Sequence, residues 1–175
     1  MPSSRHLFIA TAIAGLLGLA GAAHATPDWQ AAAATCVPDS RTTIANEVTG
    51  KPGAWVSLSA TAAHQDGVKD IYFCNVLSPL DQPVPPTWRN FKLQYSNTVG
   101  NEVQAVLYSK DKISGAVATV AAVNSAPSLG VAVATVPLPA APPLDFVNFA
   151  YHIIISVTSI QGSQPRAHMV ILTDN

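Results

Sequence analysis

The chain has 175 residues, of which only 11% are charged, and its formal net charge at pH 7 is −1 with histidine neutral. The sequence has no basic cluster, which argues against binding to nucleic acid or to an anionic membrane, because both attract concentrated positive charge. Average proteins carry about 25% charged residues, so few charges cover this surface. Such a composition suits an exported β-protein with Ser- and Thr-rich outer faces, or one that hides surface in a homo-oligomer.

The first 25 residues have the pattern of a secretory signal peptide. A basic start, MPSSRH, precedes an uncharged apolar run over residues 7–23, as in the first two regions of such a peptide. The run ends at the small-x-small cleavage motif Ala23-His24-Ala25. It is diluted by glycine and shorter than the roughly 20 strongly apolar residues of a membrane span, although an uncleaved anchor is the alternative. We expect cleavage after Ala25, a secreted or periplasmic protein, and no integral membrane segment in the mature chain.

The mature chain has the length of one domain and the cysteines of one disulfide. Removing residues 1–25 leaves 150 of the 175 residues, enough for a single domain with its own core. Cys36 and Cys74 are the only cysteines, and an even count in an oxidising compartment favours a structural disulfide. The C-x-x-C spacing of a redox pair is absent, and two thiolates are too few for a zinc site.

The mature sequence reads as a short arm followed by a β-domain. For the alanine-rich arm, residues 26–35, we predict one or two helical turns capped by Asp28, or a mobile segment. Residues 36–175 are predicted to form one β-sandwich domain, because short β-branched and aromatic runs alternate there with Gly, Pro, Asn and Asp. The predicted strands are 42–48, 54–61, 68–77, 88–96, 103–109, 116–123, 131–138, 151–158 and 166–173. Proline-rich segments within 78–87 and 137–143 are predicted surface loops.

The strand patterns also indicate how the strands pack. In strand 68–77, Tyr72 and Cys74 are predicted to face one side and their neighbours the other. Strands 116–123 and 131–138 are continuous runs of small apolar residues, which indicates burial on both faces. No segment between strands is long enough for a crossover helix, so parallel pairing is not expected. The predicted fold is all-β: an antiparallel β-sandwich of jelly-roll or immunoglobulin-like topology that follows a cleaved signal helix.

No pattern in the sequence indicates an enzyme. The nucleophile motif G-x-S-x-G is absent, and most aspartates lie at turns, where turn chemistry explains them. We expect His152 and His168 to meet across a hairpin that closes near Gly162, as a cross-strand polar pair. A small hydrolase or metal-binding protein that uses both histidines is the alternative. Asp66 and Asp70 lack the alternating oxygen ligands of a calcium loop, so we expect no catalytic residue, metal or cofactor.

Aromatic side chains carry the ligand-binding hypothesis, since flat rings contact sugars and apolar groups in many β-sandwich modules. Four of them lie in predicted strands, where packing in the core is the commoner role: Trp55, Tyr72, Tyr95 and Tyr108. Trp88, beside a proline loop, and Trp29, in the arm, are the better candidates for exposed binding residues. The expected ligand is a protein or a carbohydrate.

The motifs Cys36-Val37-Pro38 and Tyr72-Phe73-Cys74, followed by the run VQAVLY, resemble those of small exported bacterial β-sandwich proteins of unknown function. That resemblance spans most of the mature chain and implies a fold without an activity. We therefore expect an exported, non-enzymatic β-sandwich that acts as a binding or assembly module.

The chain is also similar, more distantly, to subunits of chaperone-usher fimbriae. The likeness lies in its length, its Ala, Val and Thr content and a disulfide of similar span near the N-terminus. It implies an incomplete immunoglobulin-like fold that a strand from a neighbouring subunit completes. The chain departs from that family because its penultimate residue is Asp174 rather than tyrosine, and because residues 26–35 lack the alternation of a donor strand. A fimbrial or adhesin subunit is thus the first alternative.

Overall fold

The computed structural model describes residues 27–38, 58–59, 69–77, 85–139, 144–159, 163 and 165–175. The predicted signal peptide, the predicted strand 42–48, Trp55 and Asp66 lie outside the described residues. In the part of the chain that is described, no helix is long and apolar enough to span a bilayer.

Ten strands and one short 3-10 helix, Ala33–Thr35, make up the described structure. The strands are β1 (Trp29–Ala32), β2 (Val37–Pro38), β3 (Leu58–Ser59), β4 (Lys69–Val76), β5 (Asn90–Ser96), β6 (Glu102–Asp111), β7 (Val117–Asn124), β8 (Val131–Pro137), β9 (Phe149–Thr158) and β10 (Arg166–Thr173).

The strands form two antiparallel sheets that pack face to face. Sheet A has the order β1-β10-β5-β8, with β3 also paired to β10, and sheet B has the order β2-β4-β9-β6-β7. The predicted antiparallel β-sandwich is therefore confirmed. The β6–β7 hairpin closes at Gly115, whose φ is +73°, a left-handed conformation that glycine adopts without the steric cost of a Cβ.

Alternate residues of the strands fill the core between the sheets. Phe91 and Leu93 of sheet A and Leu107, Ile153 and Ile155 of sheet B are fully buried. The predicted alternation of β4 is confirmed, since its residues switch regularly between a buried and a more exposed side. Because each strand buries one face, the period of two in the sequence is what selects the sandwich.

The disulfide links the connection between the two sheets to the inner face of sheet B. The chain leaves sheet A after β1, passes through the 3-10 helix and enters sheet B at β2. Cys36 lies in this crossing and is bonded to Cys74 of β4, with the two Cα atoms 4.6 Å apart. Both cysteines are buried in the core, and the predicted Cys36–Cys74 disulfide is confirmed.

The arm differs from its prediction. Residues 29–32 form β1 and pair antiparallel with residues 169–172 of β10, so they are neither helical nor a mobile segment. The one helical turn in the arm is the 3-10 helix Ala33–Thr35, which begins after Ala32 and is not capped by Asp28. Backbone hydrogen bonds to an existing sheet stabilise β1 more than an isolated helical turn of the same length could. The sandwich therefore begins before Cys36.

Strands β7 and β8 also differ from their prediction of burial on both faces. Each is an edge strand, β7 of sheet B and β8 of sheet A. Val117, Val131 and Val133 are 58%, 63% and 56% exposed, respectively. A run of small apolar residues has no period that distinguishes a central strand from an edge strand with an open outer face.

Candidate functional site

Two connections meet at one end of the sandwich, which we call the loop end. Residues 97–101 lead from β5 to β6, and residues 125–130 lead from β7 to β8. Both cross from one sheet to the other, and they leave neighbouring strand ends because Ser96 pairs with Val131 in sheet A. The loop end therefore belongs to both sheets, and the core strands fix its position.

Asn97 joins the two connections by hydrogen bonds. Its side chain is 3% exposed, and its Nδ2 donates to Ser125 Oγ at 2.7 Å and to the Asn101 carbonyl at 3.1 Å. The Ser128 N–H donates to the Asn97 carbonyl at 2.8 Å, and the Asn97 N–H donates to Ser128 Oγ at 3.2 Å. A buried residue that bonds to both connections, through its side-chain amide and through its backbone, restrains the connections relative to each other.

Further hydrogen bonds anchor this pair of connections to the strands. The phenol oxygen of Tyr95 accepts from the Ala126 N–H at 3.0 Å, and Ser125 Oγ accepts from the Val103 N–H at 2.9 Å. Gly100, with φ +88°, turns the first connection back toward β6. The sequence accounts for this local structure, since Asn, Ser and Gly supply the short polar side chains and the positive φ that tight turns need.

The restrained loop end presents apolar side chains to solvent. Val99 is 77% exposed and Leu129 is fully exposed. Between them lies an open cavity of about 270 Å³, lined by Thr98, Val99, Pro127, Ser128 and Leu129. Neighbouring apolar side chains that are exposed beside a cavity are typical of a surface that binds a partner.

A second cavity adjoins the first and is more polar. It measures about 220 Å³ and is lined by Ser96, Asn97, Thr98, Ser128, Leu129, Gly130 and Arg166. The two cavities share Thr98, Ser128 and Leu129. Hydroxyl groups and a guanidinium beside an apolar depression fit a ligand that has an apolar group next to polar atoms.

Another apolar surface crosses the outer face of sheet B. Antiparallel pairing places five residues of neighbouring strands in one row: Val37, Phe73, Ile154, Val106 and Ala122. Val37 and Phe73 are its most exposed large members. The row follows the surface of a sheet, so it offers a broad contact but no concave site.

The two tryptophans predicted as binding residues lie away from the loop end. Trp88 is 5% exposed, so the expectation that it is exposed is wrong. Its Nε1 donates to the Pro27 carbonyl at 2.8 Å, and its ring meets Phe146 edge-on at 6.4 Å. Trp29 lies in β1, half-buried against the core. Both tryptophan rings cover the core. The sequence alone does not distinguish a ring with this role from an exposed ring that binds a ligand.

The predicted His152–His168 pair does not form. β9 lies in sheet B and β10 in sheet A, so the two strands are not a hairpin and the histidines lie on opposite outer faces of the sandwich. His152 stacks on Tyr108 with ring centroids 5.3 Å apart, whereas His168 Nε2 lies 3.2 Å from Ser96 Oγ. Partial burial lowers the pKa of both imidazoles, and nearby Lys110 lowers that of His152 further.

The described aspartates at turns have structural roles. Asp111 Oδ1 accepts from the Ile113 and Ser114 N–H groups at 2.8 and 2.7 Å, and these bonds lower the pKa of Asp111. Asp145 Oδ1 accepts from the Val147 N–H at 2.8 Å in the same manner. Within the described ranges, no group of three His, Cys, Asp or Glu side chains could hold a metal ion.

No protein-family model matches the chain, and no curated protein is significantly similar to it in sequence. The likenesses to exported β-sandwich proteins and to fimbrial subunits therefore stay predictions. Residues 97–101 and 125–130 lie between predicted strands, and their meeting at one end of the fold depends on the strand order. The one signal in the sequence is the presence of Val99 and Leu129 among turn-forming residues.

Proposed function

We propose that the protein is an exported, non-enzymatic binding module that holds an apolar segment of a protein partner at its loop end. The observation that carries the proposal is the combination of a hydrogen-bonded frame around Asn97 with fully exposed Leu129. A preorganised site loses little conformational entropy when it binds, so that more of the contact energy becomes affinity.

Protein is the favoured ligand class because of what lines the cavities. Sugar-binding sites rely on flat aromatic rings, whereas none of the residues that line the two cavities is aromatic. Burying a leucine side chain stabilises a complex by about 2 kcal/mol. Leu129 with Val99 beside it is therefore sufficient for a weak, specific contact with an apolar side chain.

Export is supported by two independent features of the chain. Residues 1–25 have the charge and hydropathy pattern of a signal peptide. The Cys36–Cys74 bond fits an oxidising compartment such as the periplasm or the cell exterior. We propose that the signal peptide is removed and that the sandwich acts outside the cytoplasm.

A binding experiment with matched variants tests this function. Labelled protein is applied to arrayed peptides, with apolar, acidic or basic central residues, and to arrayed glycans. We expect binding to peptides with apolar central residues. Leu129→Asp should weaken it at least about tenfold, because the complex would bury a carboxylate. Leu77→Asp is the control, since Leu77 is 72% exposed but follows β4 at the opposite end of the sandwich.

Three outcomes would contradict the proposal. One is the absence of binding to peptides with apolar central residues. Another is glycan binding in place of peptide binding. The third is an equal loss of affinity in Leu77→Asp and Leu129→Asp, which would mean that the loop end is not the site.

A further inference from the structure

The four edges of the two sheets differ in how they are protected against pairing with another strand. Natural edge strands are protected by shortness, proline, charge or a bulge. β1 has four residues, and β2 has two and ends in Pro38. In β7, Ala121 pairs with Leu107 and Thr119 with Tyr108, which leaves Val120 as a bulge. Three of the four edges thus carry a protective feature.

β8 lacks these features along almost its whole length. Its seven residues pair with β5 in one unbroken register from Asn90–Pro137 to Ser96–Val131, and its only proline is the last residue. No strand of the described part of the chain pairs with its other edge. β8 is therefore a long, regular strand, and the N–H and C=O groups along its outer edge can form hydrogen bonds with a further strand.

Charge is also missing from β8 itself, although Lys92 of the neighbouring strand β5 pairs with Thr135. Between Lys112 and Asp145 the sequence holds 32 consecutive residues without Asp, Glu, Lys or Arg. The residues of β8 that alternate with its half-buried positions are Val131, Val133, Thr135 and Pro137, all exposed. β8 thus has neither a charged residue nor a proline before its last residue to prevent pairing with another strand.

We infer that β8 pairs antiparallel with β8 of a second copy of this chain, so that the A sheets of the two copies form one continuous sheet. An antiparallel pair of identical strands is self-complementary about a two-fold axis, the commonest symmetry of soluble oligomers. Valines on the outer face meet valine or threonine across the axis, which favours pairing. Because the edge is uncharged, two copies approach it without the like-charge repulsion that normally prevents such contacts.

This dimer is independent of the proposed function, because it uses the β8 edge rather than the cavities of the loop end. The variants of the two tests differ accordingly. Leu129→Asp is expected to impair peptide binding, and a lysine at Val133 is expected to impair dimerisation. Failure of one proposal therefore leaves the other testable.

Sedimentation equilibrium and light scattering on the purified protein measure the association. We expect twice the mass of one chain at micromolar concentrations. Val133→Lys should weaken dimerisation at least about tenfold, since two lysines would meet near the axis. Gln94→Lys is the matched control, because Gln94 is the direct partner of Val133 on the same outer face but lies in an internal strand; its effect should be within about twofold.

Two further measurements keep the test independent of folding defects. Thr135→Glu places a charge at an exposed polar position of β8 opposite Lys92 of the same chain, and circular dichroism checks that each variant is folded. In wild type, hydrogen exchange of the β8 amides should slow as protein concentration rises. A wild-type protein that stays monomeric up to about 1 mM overturns the inference. A dimer that persists in both of the folded β8 variants, Val133→Lys and Thr135→Glu, also overturns it.

Discussion

The replacement Asn97→Ala tests whether one amide holds the loop end together. It removes the two donations from Nδ2, to Ser125 Oγ at 2.7 Å and to the Asn101 carbonyl at 3.1 Å, in a side chain that is 3% exposed. Each bond contributes about 1 kcal/mol, and the variant also removes the buried Asn97 Oδ1, which has no hydrogen-bond partner among the described residues, so that part of this cost is offset. We expect the free energy of unfolding to fall by about 1 to 2 kcal/mol, which for a domain of this size lowers the melting temperature by roughly 2 to 8 °C.

Urea and thermal unfolding, followed by circular dichroism, measure this change. Asn124→Ala is the matched control, because Asn124 is exposed and its amide oxygen only accepts from Gln104 Nε2 at 2.8 Å. That variant should stay within about 0.5 kcal/mol of wild type. If Asn97→Ala is no less stable than Asn124→Ala, the network around Asn97 does not restrain the loop end and the argument for a preorganised site is wrong.

Three other changes probe the disulfide, the β6–β7 turn and the outer face of sheet B. Reducing the Cys36–Cys74 bond should lower the unfolding free energy by about 4 kcal/mol, and a double alanine variant should be insensitive to the reductant in urea titrations. Gly115→Ala should cost about 1 kcal/mol because φ is +73° with open space around the Cα, whereas Gly130→Ala, without a positive φ, should change the melting temperature little. Because the pKa of His152 is lowered in the folded protein, the unfolded chain takes up a proton at a higher pH than the folded protein does. The free energy of unfolding should therefore fall as the pH drops below about 6.5. An NMR titration of the His152 ring with a midpoint at or above that value would contradict this.

Much of the sandwich could be predicted from the sequence because period-two alternation is a local signal. The predicted strand 166–173 coincides with β10, and 68–77 differs from β4 by one residue at each end. Which strands pair with each other could not be predicted in the same way, because pairing depends on contacts between residues that are distant in the sequence. β9 and β10 follow each other in the chain yet lie in different sheets, so a hairpin inferred from a turn-rich segment between them was wrong.

The loop end could not be predicted for the same physical reason. Residues 97–101 and 125–130 are separated by two strands, and only the sheet order brings Asn97 within reach of Ser125 and Ser128. Aromatic residues, which the sequence favoured as ligand contacts, instead cover the core, as Trp88 does. The composition predicted only that few charges cover the surface, and it did not indicate where apolar side chains are exposed.

The most direct test of a binding site at the loop end is NMR mapping with small probes. Isopropanol and phenol are titrated into isotope-labelled protein, and shifts of the backbone amides are assigned to residues. We expect the largest shifts to cluster at 97–101 and 125–130, around Val99 and Leu129. If the largest shifts instead lie on the outer face of sheet B around Phe73, or if no cluster forms, the loop end is not the binding site.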